Sequence, residues 1–589
     1  MKKALLSGNE AIARGFWESG GHRAFAYPGT PSTEILENLA KYDDIYCQWN
    51  TNEKTAMETA AGASVAGART IVTMKHVGLN VAADPLMTTA YTGVNGGLVI
   101  VSADDPGMHS SQNEQDNRRF GIFAKMPVLN PSDSQEAKDF VGLGFEISER
   151  FDIPVLLRIT TRIAHSKTLV TLKERTTVPI REYVKNIKKN MVIPAHARIL
   201  HVALEKKLIE IQKYASTCPA NSLHLSNPEV GIVTSGIAVQ YAREVFPDAS
   251  FLTIGMDFPF PVELARKLAD HCERILVIEE LEPVLEEQLT LLGIKVEGKN
   301  RIPICDELNQ AVVARAFDLP CPDPSPALDH VKLPGRPPVL CPGCSHRPLF
   351  LALKKMKLIV NGDIGCYTLG ALPPLDAMDT CICMGASITQ NLGFEKTNPE
   401  FGKKSVAVIG DSTFFHSGMT GIADLVYNSA HSTVIILDNL ITAMTGHQNN
   451  PGTGLTLMGK PSPIINIAEV CKALGVEKII TLNPYDVDNN MKMIQECLDH
   501  PGPAVIIARA PCMLIKKHKV TPALEVDPEK CRKCGACIRT GCPAVSKSSG
   551  GQAIINPEMC AGEACGLCRR VCKFNAHKAP VNRDDNQGR

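Results

Sequence analysis

The chain has 589 residues, 44% of them hydrophobic and 21% charged, with 62 acidic residues against 62 Lys and Arg. A length of this order asks for about three to five domains. Zero formal net charge leaves no basic footprint for nucleic acid or an anionic membrane, and no run approaches the roughly 18 apolar residues that cross a bilayer.

The opening Met1-Lys2-Lys3-Ala4-Leu5-Leu6 resembles a signal peptide, but Glu10 and Arg14 interrupt any apolar core. The 21 cysteines fit a reducing cytoplasm better than a disulfide scaffold, because many, such as Cys383 and Cys471, sit singly in apolar runs. A soluble, cytoplasmic protein is expected.

In chain order, Ala24–Tyr27, Thr70–Met74 and Gly97–Val101 are strand-like runs alternating with helical patterns. That rhythm predicts a parallel sheet covered by helices on both faces. Lys185 to Lys213 is a charged connector containing a helix. Val230–Thr234, Phe251–Ile254 and Arg274–Ile278 mark a second α/β unit. Pro320 to Pro338 holds seven prolines and is the clearest linker. A third α/β unit has Ser405–Ile409 and Ser432–Leu437 as its plainest strands, and a cysteine-rich unit begins near Thr521.

That last unit is spaced Cys531-x2-Cys534-x2-Cys537-x4-Cys542-Pro543 and Cys560-x4-Cys565-x2-Cys568-x3-Cys572. Thiolates at this spacing can wrap an iron–sulfur cubane, and in two-cluster ferredoxins the fourth Cys of each run ligates the other cluster. One site is then Cys531, Cys534, Cys537 and Cys572, and the other Cys542, Cys560, Cys565 and Cys568. A pair of structural zinc sites is the alternative, although zinc ribbons use isolated pairs rather than triplets with a fourth Cys.

In the third unit, strand Ser405–Ile409 runs into Gly410-Asp411-Ser412, and Ser432–Leu437 runs into Asp438-Asn439. Ligands of open α/β sheets gather beyond the carboxyl ends of strands. An acid and an amide placed there suit a hard divalent cation, Mg²⁺ or Ca²⁺, bridging to a diphosphate. A Gly-Asp-Ser turn with no ligand is the plainer reading of the motif alone. Small residues in Gly385-Ala386-Ser387 would let backbone N–H groups approach phosphate at a helix start, or else serve tight helix packing.

These motifs resemble the thiamine-diphosphate signature, a Gly-Asp-Gly followed just under thirty residues later by Asn, with Ser412 in place of the usual third Gly. By that resemblance Asp411, Asn439 and the carbonyl of Ile441 hold the metal. Asp438-Asn439-x2-Thr442-Ala443-Met444-Thr445-Gly446-x-Gln448, Met384-Gly385-Ala386-Ser387 and Cys341-Pro342-Gly343-Cys344 look like the diphosphate-side domain of 2-oxoacid:ferredoxin oxidoreductases. Cys341, Cys344, Cys366 and Cys512 occupy the places where family members ligate a further cluster beside thiamine; buried thiols and a tight turn are the alternative. His346 is close to that pair and would face substrate or the thiazolium, unless it is a satisfied structural histidine.

The resemblance also assigns Glu53 as the buried carboxylate that activates the aminopyrimidine, with Glu58 as runner-up. A Glu beginning a helix is otherwise a dipole-stabilising surface charge. Tyr27-Pro28-Gly29-Thr30-Pro31-Ser32-Thr33 resembles the substrate-carboxylate loop, where Thr30 donates a hydrogen bond. Thr30 is also expected to cap a helix, with Pro31 in its first turn. Pyruvate-using members add an Arg on a later loop. Here that stretch reads Val101-Ser102-Ala103-Asp104-Asp105-Pro106-Gly107 without one, which speaks against pyruvate and leaves Lys75 or His76 as candidates.

Together with Gly362-Asp363-Ile364-Gly365-Cys366-Tyr367-Thr368-Leu369-Gly370, the order of units resembles the large (alpha) subunit of indolepyruvate ferredoxin oxidoreductases. The resemblance implies three doubly wound parallel-sheet domains and a two-cluster ferredoxin-like α+β module: a pyrimidine-side domain (1–182), a connector and transketolase-C-like domain (183–325), a diphosphate-side domain (326–518) and the module (519–589). It implies thiamine diphosphate, Mg²⁺ or Ca²⁺, two 4Fe-4S clusters and a third near thiamine, with a small beta subunit, ferredoxin and coenzyme A as partners. The expected reaction turns an aryl-pyruvate into aryl-acetyl-CoA and CO₂ through a thiamine enamine whose electrons reduce ferredoxin. The rivals are the same class acting on another 2-oxoacid, a non-oxidative decarboxylase releasing aldehyde, and an electron-transfer protein without thiamine.

Overall fold

The structure, a computed structural model, describes residues 2–320, 335, 337–515 and 521–579. Most of the proline-rich linker, and the expected boundaries at 325 and 518, lie outside the described residues. The chain divides into two compact units, Met1–Lys332 and Leu333–Arg589.

The first unit is built on a seven-stranded sheet in the order Met256–Phe258, Val128–Leu129, Val155–Thr160, Leu98–Asp104, Thr70–Lys75, Arg23–Ala26 and Tyr46–Trp49. All neighbours pair in parallel except Met256–Phe258, which runs antiparallel at one edge. Every residue of Thr70–Lys75, Leu98–Asp104 and Val155–Thr160 is buried, as expected where helices cover both faces of a parallel sheet. The edge strand comes from the second expected α/β unit, whose own four-stranded sheet is Arg274–Ile278, Asn227–Ser235, Ala249–Ile254 and Ser222–His224. That segment therefore contributes to two sheets. The charged connector is the helix Pro194–Ala215, in which only Leu204, Ile211 and Ala215 are buried.

The second unit holds a wholly parallel five-stranded sheet in the order Ile359–Asn361, Ser405–Gly410, Thr433–Asp438, Ala504–Arg509 and Lys478–Leu482. Strand period two divides its side chains between two cores. Val406, Val408, Ile435, Leu437 and Ile506 pack with helix His346–Met356. Ala407, Ile409, Val434, Ile436 and Ile507 pack with Ile388 and Leu425 on the opposite face. Beyond it, residues 521–579 form two short antiparallel pairs, Glu525–Val526 with His577–Lys578 and Val545–Lys547 with Ala553–Ile555. Their small core includes Leu524, Val545 and Ala553 packed among cysteines.

No helix among the described residues is long and apolar enough to cross a membrane.

Candidate active site and cluster cavities

In the first unit the expected site residues lie at the carboxyl ends of adjacent strands. Asn52 caps helix Glu53–Val65 by accepting the Thr55 N–H at 2.8 Å, and this places Glu53 at the first helical position, 5% exposed. The Glu53 side chain lies against Gly78: a Cβ there would stand 2.6 Å from Glu53 Oε1. Glu58 is exposed and paired with Lys54 one turn away, so the runner-up is a surface charge.

Thr30 does not cap the helix that follows its loop. That helix is Thr33–Leu39 and its N-cap is Ser32, which makes no side-chain cap hydrogen bond. The Ser32 N–H and hydroxyl both turn back to the Gly29 carbonyl, at 2.8 and 2.9 Å, and Asn9 Nδ2 donates to Pro31 O at 2.7 Å. This local turn delays the helix past Pro31 and leaves Thr30 outside it. Gly29 packs on Lys75, where an added Cβ would lie 3.0 Å from the Lys75 Cβ. Lys75 Nζ donates to Ser110 O at 2.6 Å, and burial pulls its pKa down to about 8 against the attraction of Asp105. His76 is fully buried, with Nε2 3.0 Å from Asn113 Oδ1 and Nδ1 unpartnered.

Two buried arginines meet carboxylates around the stretch that lacks one. Arg158 Nε donates to Asp104 Oδ2 at 2.8 Å. Arg118 is 1% exposed and joins Asp116 at 2.5 Å and Glu279 at 2.8 Å. Carboxylates already engage both, and an Arg within the apolar strand Val155–Thr160 was the available signal.

In the second unit the neighbouring strands Ser405–Gly410 and Thr433–Asp438 deliver Asp411 and Asn439 side by side. Asp411 accepts the Ser412 N–H at 2.8 Å and Asn450 Nδ2 at 3.3 Å, and the Ile441 N–H also reaches it. That same N–H lies 3.2 Å from Asn439 Oδ1. Burial, reinforced by the charge of Asp438, pushes Asp411 up to about 7. Asp438 itself accepts Arg509 Nε at 2.7 Å, so the donors left for a hard divalent cation are the buried Asp411 carboxylate and the Asn439 amide oxygen. The metal-side residues therefore fit the expected ion. Ser412 accepts the Thr442 hydroxyl at 2.9 Å. At Gly410 a Cβ would stand 2.7 Å from the Tyr367 ring. Phe414–Gly418, just after Asp411, winds as a π-helical turn, a form frequent at functional sites.

The Gly385-Ala386-Ser387 backbone is not open to phosphate as expected. Asp363 accepts the Gly385 and Ser387 N–H groups at 2.9 and 3.0 Å, and Ala386 N–H donates to Cys383 O at 3.2 Å. Asp363 is itself the anion at that helix start, raised to about 6 by burial against these donors. Only its position in Gly362-Asp363 signalled it. Gly385 has φ +89°, and an added Cβ would strike Ser417 at 2.4 Å.

Cys341, Cys344, Cys366 and Cys512 line one cavity of about 80 Å³, with His346 and Asn439 in its wall. Burial pulls His346 down to about 4, so it is neutral near pH 7, and Asn439 Nδ2 lies 3.5 Å from its Nε2. Cys542, Cys560, Cys565 and Cys568 line a second cavity of about 20 Å³. Cys537 lies near Cys531 and Cys572, while Cys534 is exposed. Of the two expected sets, Cys542, Cys560, Cys565 and Cys568 are the four that share one cavity. Among the described residues no three His, Cys, Asp or Glu converge on a single metal ion; the thiols stand around cavities. A soft four-thiol set of this kind fits an iron–sulfur cluster.

The class follows from these two halves. A family described as "Pyruvate flavodoxin/ferredoxin oxidoreductase, thiamine diP-bdg" matches residues 19–204, and "Thiamine pyrophosphate enzyme, C-terminal TPP binding domain" matches residues 363–508. The chain thus carries the thiamine-diphosphate-binding domains of that oxidoreductase class. Over nearly its full length it is similar to indolepyruvate oxidoreductase subunit IorA. It is 41% identical to the Pyrococcus horikoshii protein, over 98% of this chain and 96% of that one. The Archaeoglobus fulgidus and Methanothermobacter thermautotrophicus proteins are each 38% identical, over 98% of this chain and 97% of theirs. The chain belongs to the indolepyruvate oxidoreductase IorA family.

Proposed function

We propose that the chain is the thiamine-bearing subunit of an enzyme that converts aryl-pyruvates, indolepyruvate foremost, with coenzyme A into aryl-acetyl-CoA and CO₂, passing two electrons to ferredoxin. The observation that carries this reading beyond family membership is one shared wall. Asn439, on the metal side, and His346 line the same cavity as Cys341, Cys344, Cys366 and Cys512, so decarboxylation and electron uptake would be neighbours. The domain limits 1–182, 183–325, 326–518 and 519–589, the ferredoxin-like nature of the last, Mg²⁺ and the count of three clusters belong to this proposal. So do the small partner subunit and a cytoplasmic location.

Thiamine diphosphate, when bound, supplies the nucleophilic carbon on which a 2-oxoacid loses CO₂. Glu53 would hold the proton on the aminopyrimidine from a buried helix start. Asp411, Asn439 and the Ile441 carbonyl would hold the cation and its diphosphate. Thr30 would donate to the substrate carboxylate. His346, neutral in its buried place, would donate or accept a hydrogen bond without adding charge beside the thiols.

The test is anaerobic reduction of a low-potential viologen dye by indolepyruvate, using the chain with its small partner, with and without coenzyme A. Coenzyme A-dependent dye reduction that is lost in Glu53→Gln supports the proposal. CO₂ release with aldehyde and no dye reduction would replace it with a non-oxidative decarboxylase. Turnover of a different 2-oxoacid alone would keep the class and remove the substrate.

A further inference from the structure

Arg347 is 3% exposed, yet among the described residues its hydrogen-bond partners are all backbone carbonyls. Nη1 donates to Thr540 O at 3.1 Å and Gly541 O at 2.6 Å. Nη2 donates to Leu340 O, and to Cys341 O at 3.4 Å. Nε is buried with no hydrogen-bond partner. A guanidinium buried without a carboxylate is costly, so its position calls for another source of negative charge.

Two such sources flank it. Arg347 and Cys344 line the cavity of Cys542, Cys560, Cys565 and Cys568. Cys344 also belongs to the cavity of Cys341, Cys366 and Cys512. The two cavities thus share the wall formed by Cys344. Arg347 acts electrostatically on one thiol from each side, Cys344 and Cys565. Tyr485 closes the same partition: its hydroxyl donates to Gly343 O at 2.6 Å, and burial together with Cys565, Cys344 and Cys512 raises its pKa.

We propose that Arg347 is the positive charge shared by two neighbouring iron–sulfur clusters, raising both reduction potentials. The inference rests on the cluster reading given under the proposed function. With clusters bound by these thiols, an electron passing between them would oxidise the cluster on the Cys341 set by one electron and reduce that on the Cys542 set by the same electron. No bond forms or breaks, and no proton leaves Arg347. Net charge and hydrogen bonding near the sulfurs are the levers by which a protein sets such potentials. A buried guanidinium supplies charge without competing as a ligand. Arg347 is a positioning and tuning residue, since it acts through the thiols.

The test compares Arg347→Gln, Arg347→Met and Arg347→Lys with the wild-type chain, anaerobically and with clusters in place. Iron content is measured first, then each cluster is followed by electron paramagnetic resonance during a redox titration. With iron retained, loss of the charge in Gln or Met should lower the reduced-to-oxidised ratio of the two flanking clusters about tenfold at a fixed ambient potential, equivalent to about 59 mV for a one-electron couple. The Cys531 set should move least, and Lys should return the potentials towards wild type. Unchanged potentials at full iron content in both Gln and Met would overturn the proposal. Loss of iron in both would also overturn it, leaving Arg347 as a clamp between its four carbonyls. A wild-type chain with iron only in the Cys531 set would instead refute the cluster reading itself, and the inference with it.

Discussion

Glu53 and Gly78 are in direct contact: a Cβ added at Gly78 would lie 2.6 Å from both the Cγ and the Oε1 of Glu53. The glycine is what lets the carboxylate lie flat against the start of helix His76–Val81. Gly78→Ala must therefore displace Glu53, or the helix, by several tenths of an ångström or more. Misplacing a catalytic group by about 1 Å can cost on the order of 10²-fold. Gly78→Ala is expected to lower kcat/KM about 10- to 100-fold with thiamine diphosphate still bound. Glu53→Gln should lose about 10²- to 10⁴-fold, as for removal of a general acid–base group. Dye-reduction kinetics beside cofactor affinity by fluorescence quenching separate the two effects.

Asp411 sets a pH dependence whose sign can be worked out. Its pKa is about 7 in the folded chain against 3.8 ordinarily, so the folded state holds more protons between those values. The stability Asp411 contributes is present below about 4 and is lost as pH rises through about 7 in the cation-free chain. A divalent cation must displace that proton. Mg²⁺ binding should release up to one proton near pH 6 and almost none well above pH 7. Calorimetry in buffers of different ionisation enthalpy reads this directly. Asp411→Asn should weaken Mg²⁺-dependent cofactor binding and abolish the proton release.

The three thiol sets predict separable losses. Cys565→Ala, Cys512→Ala and Cys534→Ala should each remove one cluster's share of iron, and the missing resonance should differ among them. Cys471→Ala, in an apolar core position, should leave iron content unchanged. Iron assay with low-temperature paramagnetic resonance decides the matter.

Gly385 combines a left-handed backbone with a close neighbour, Ser417, 2.4 Å from an added Cβ. Gly385→Ala should destabilise the chain by at least about 1–3 kcal/mol from backbone strain alone. Asp363→Asn should also destabilise, because it withdraws the charge that gathers the N–H groups of Gly385 and Ser387. Thermal unfolding of both variants, with and without thiamine diphosphate, measures the cost.

Lys75, seated against Gly29 beside Thr30, is half-protonated near pH 8 rather than 10.5 because it is buried. If it meets the 2-oxoacid carboxylate, KM must rise as pH passes about 8 and the ammonium becomes neutral. Lys75→Arg should remove that rise, and Lys75→Met should raise KM at every pH. A wild-type KM that is flat across that range would exclude Lys75 from substrate binding.

Much of the fold was legible along the chain. The runs Thr70–Met74, Val230–Thr234 and Ser405–Ile409 fall within strands, and Ser432–Leu437 does so from Thr433 on, because burial on both faces demands largely apolar runs. Cysteine spacing was readable only in part: Cys560, Cys565 and Cys568 are near in sequence and line one cavity, which Cys542 joins from eighteen residues away. Asp411 and Asn439 were readable too, carried to one place by adjacent parallel strands. These local features belong to the sequence by itself.

Tertiary structure decided the rest, through groups far apart in the chain. The helix after Thr30 starts late because Ser32 folds back on Gly29 and Asn9 holds Pro31. Asp363 takes the N–H groups expected to be open to phosphate, from more than twenty residues away. Arg158 reaches Asp104 only through strand pairing. Arg347 gains its place between two thiol sets from carbonyls nearly two hundred residues apart in the chain. Periodicity and spacing record which face of an element is buried and which ligands are near neighbours in sequence. They do not record which charge meets which, because that depends on how sheets and loops bring distant segments together.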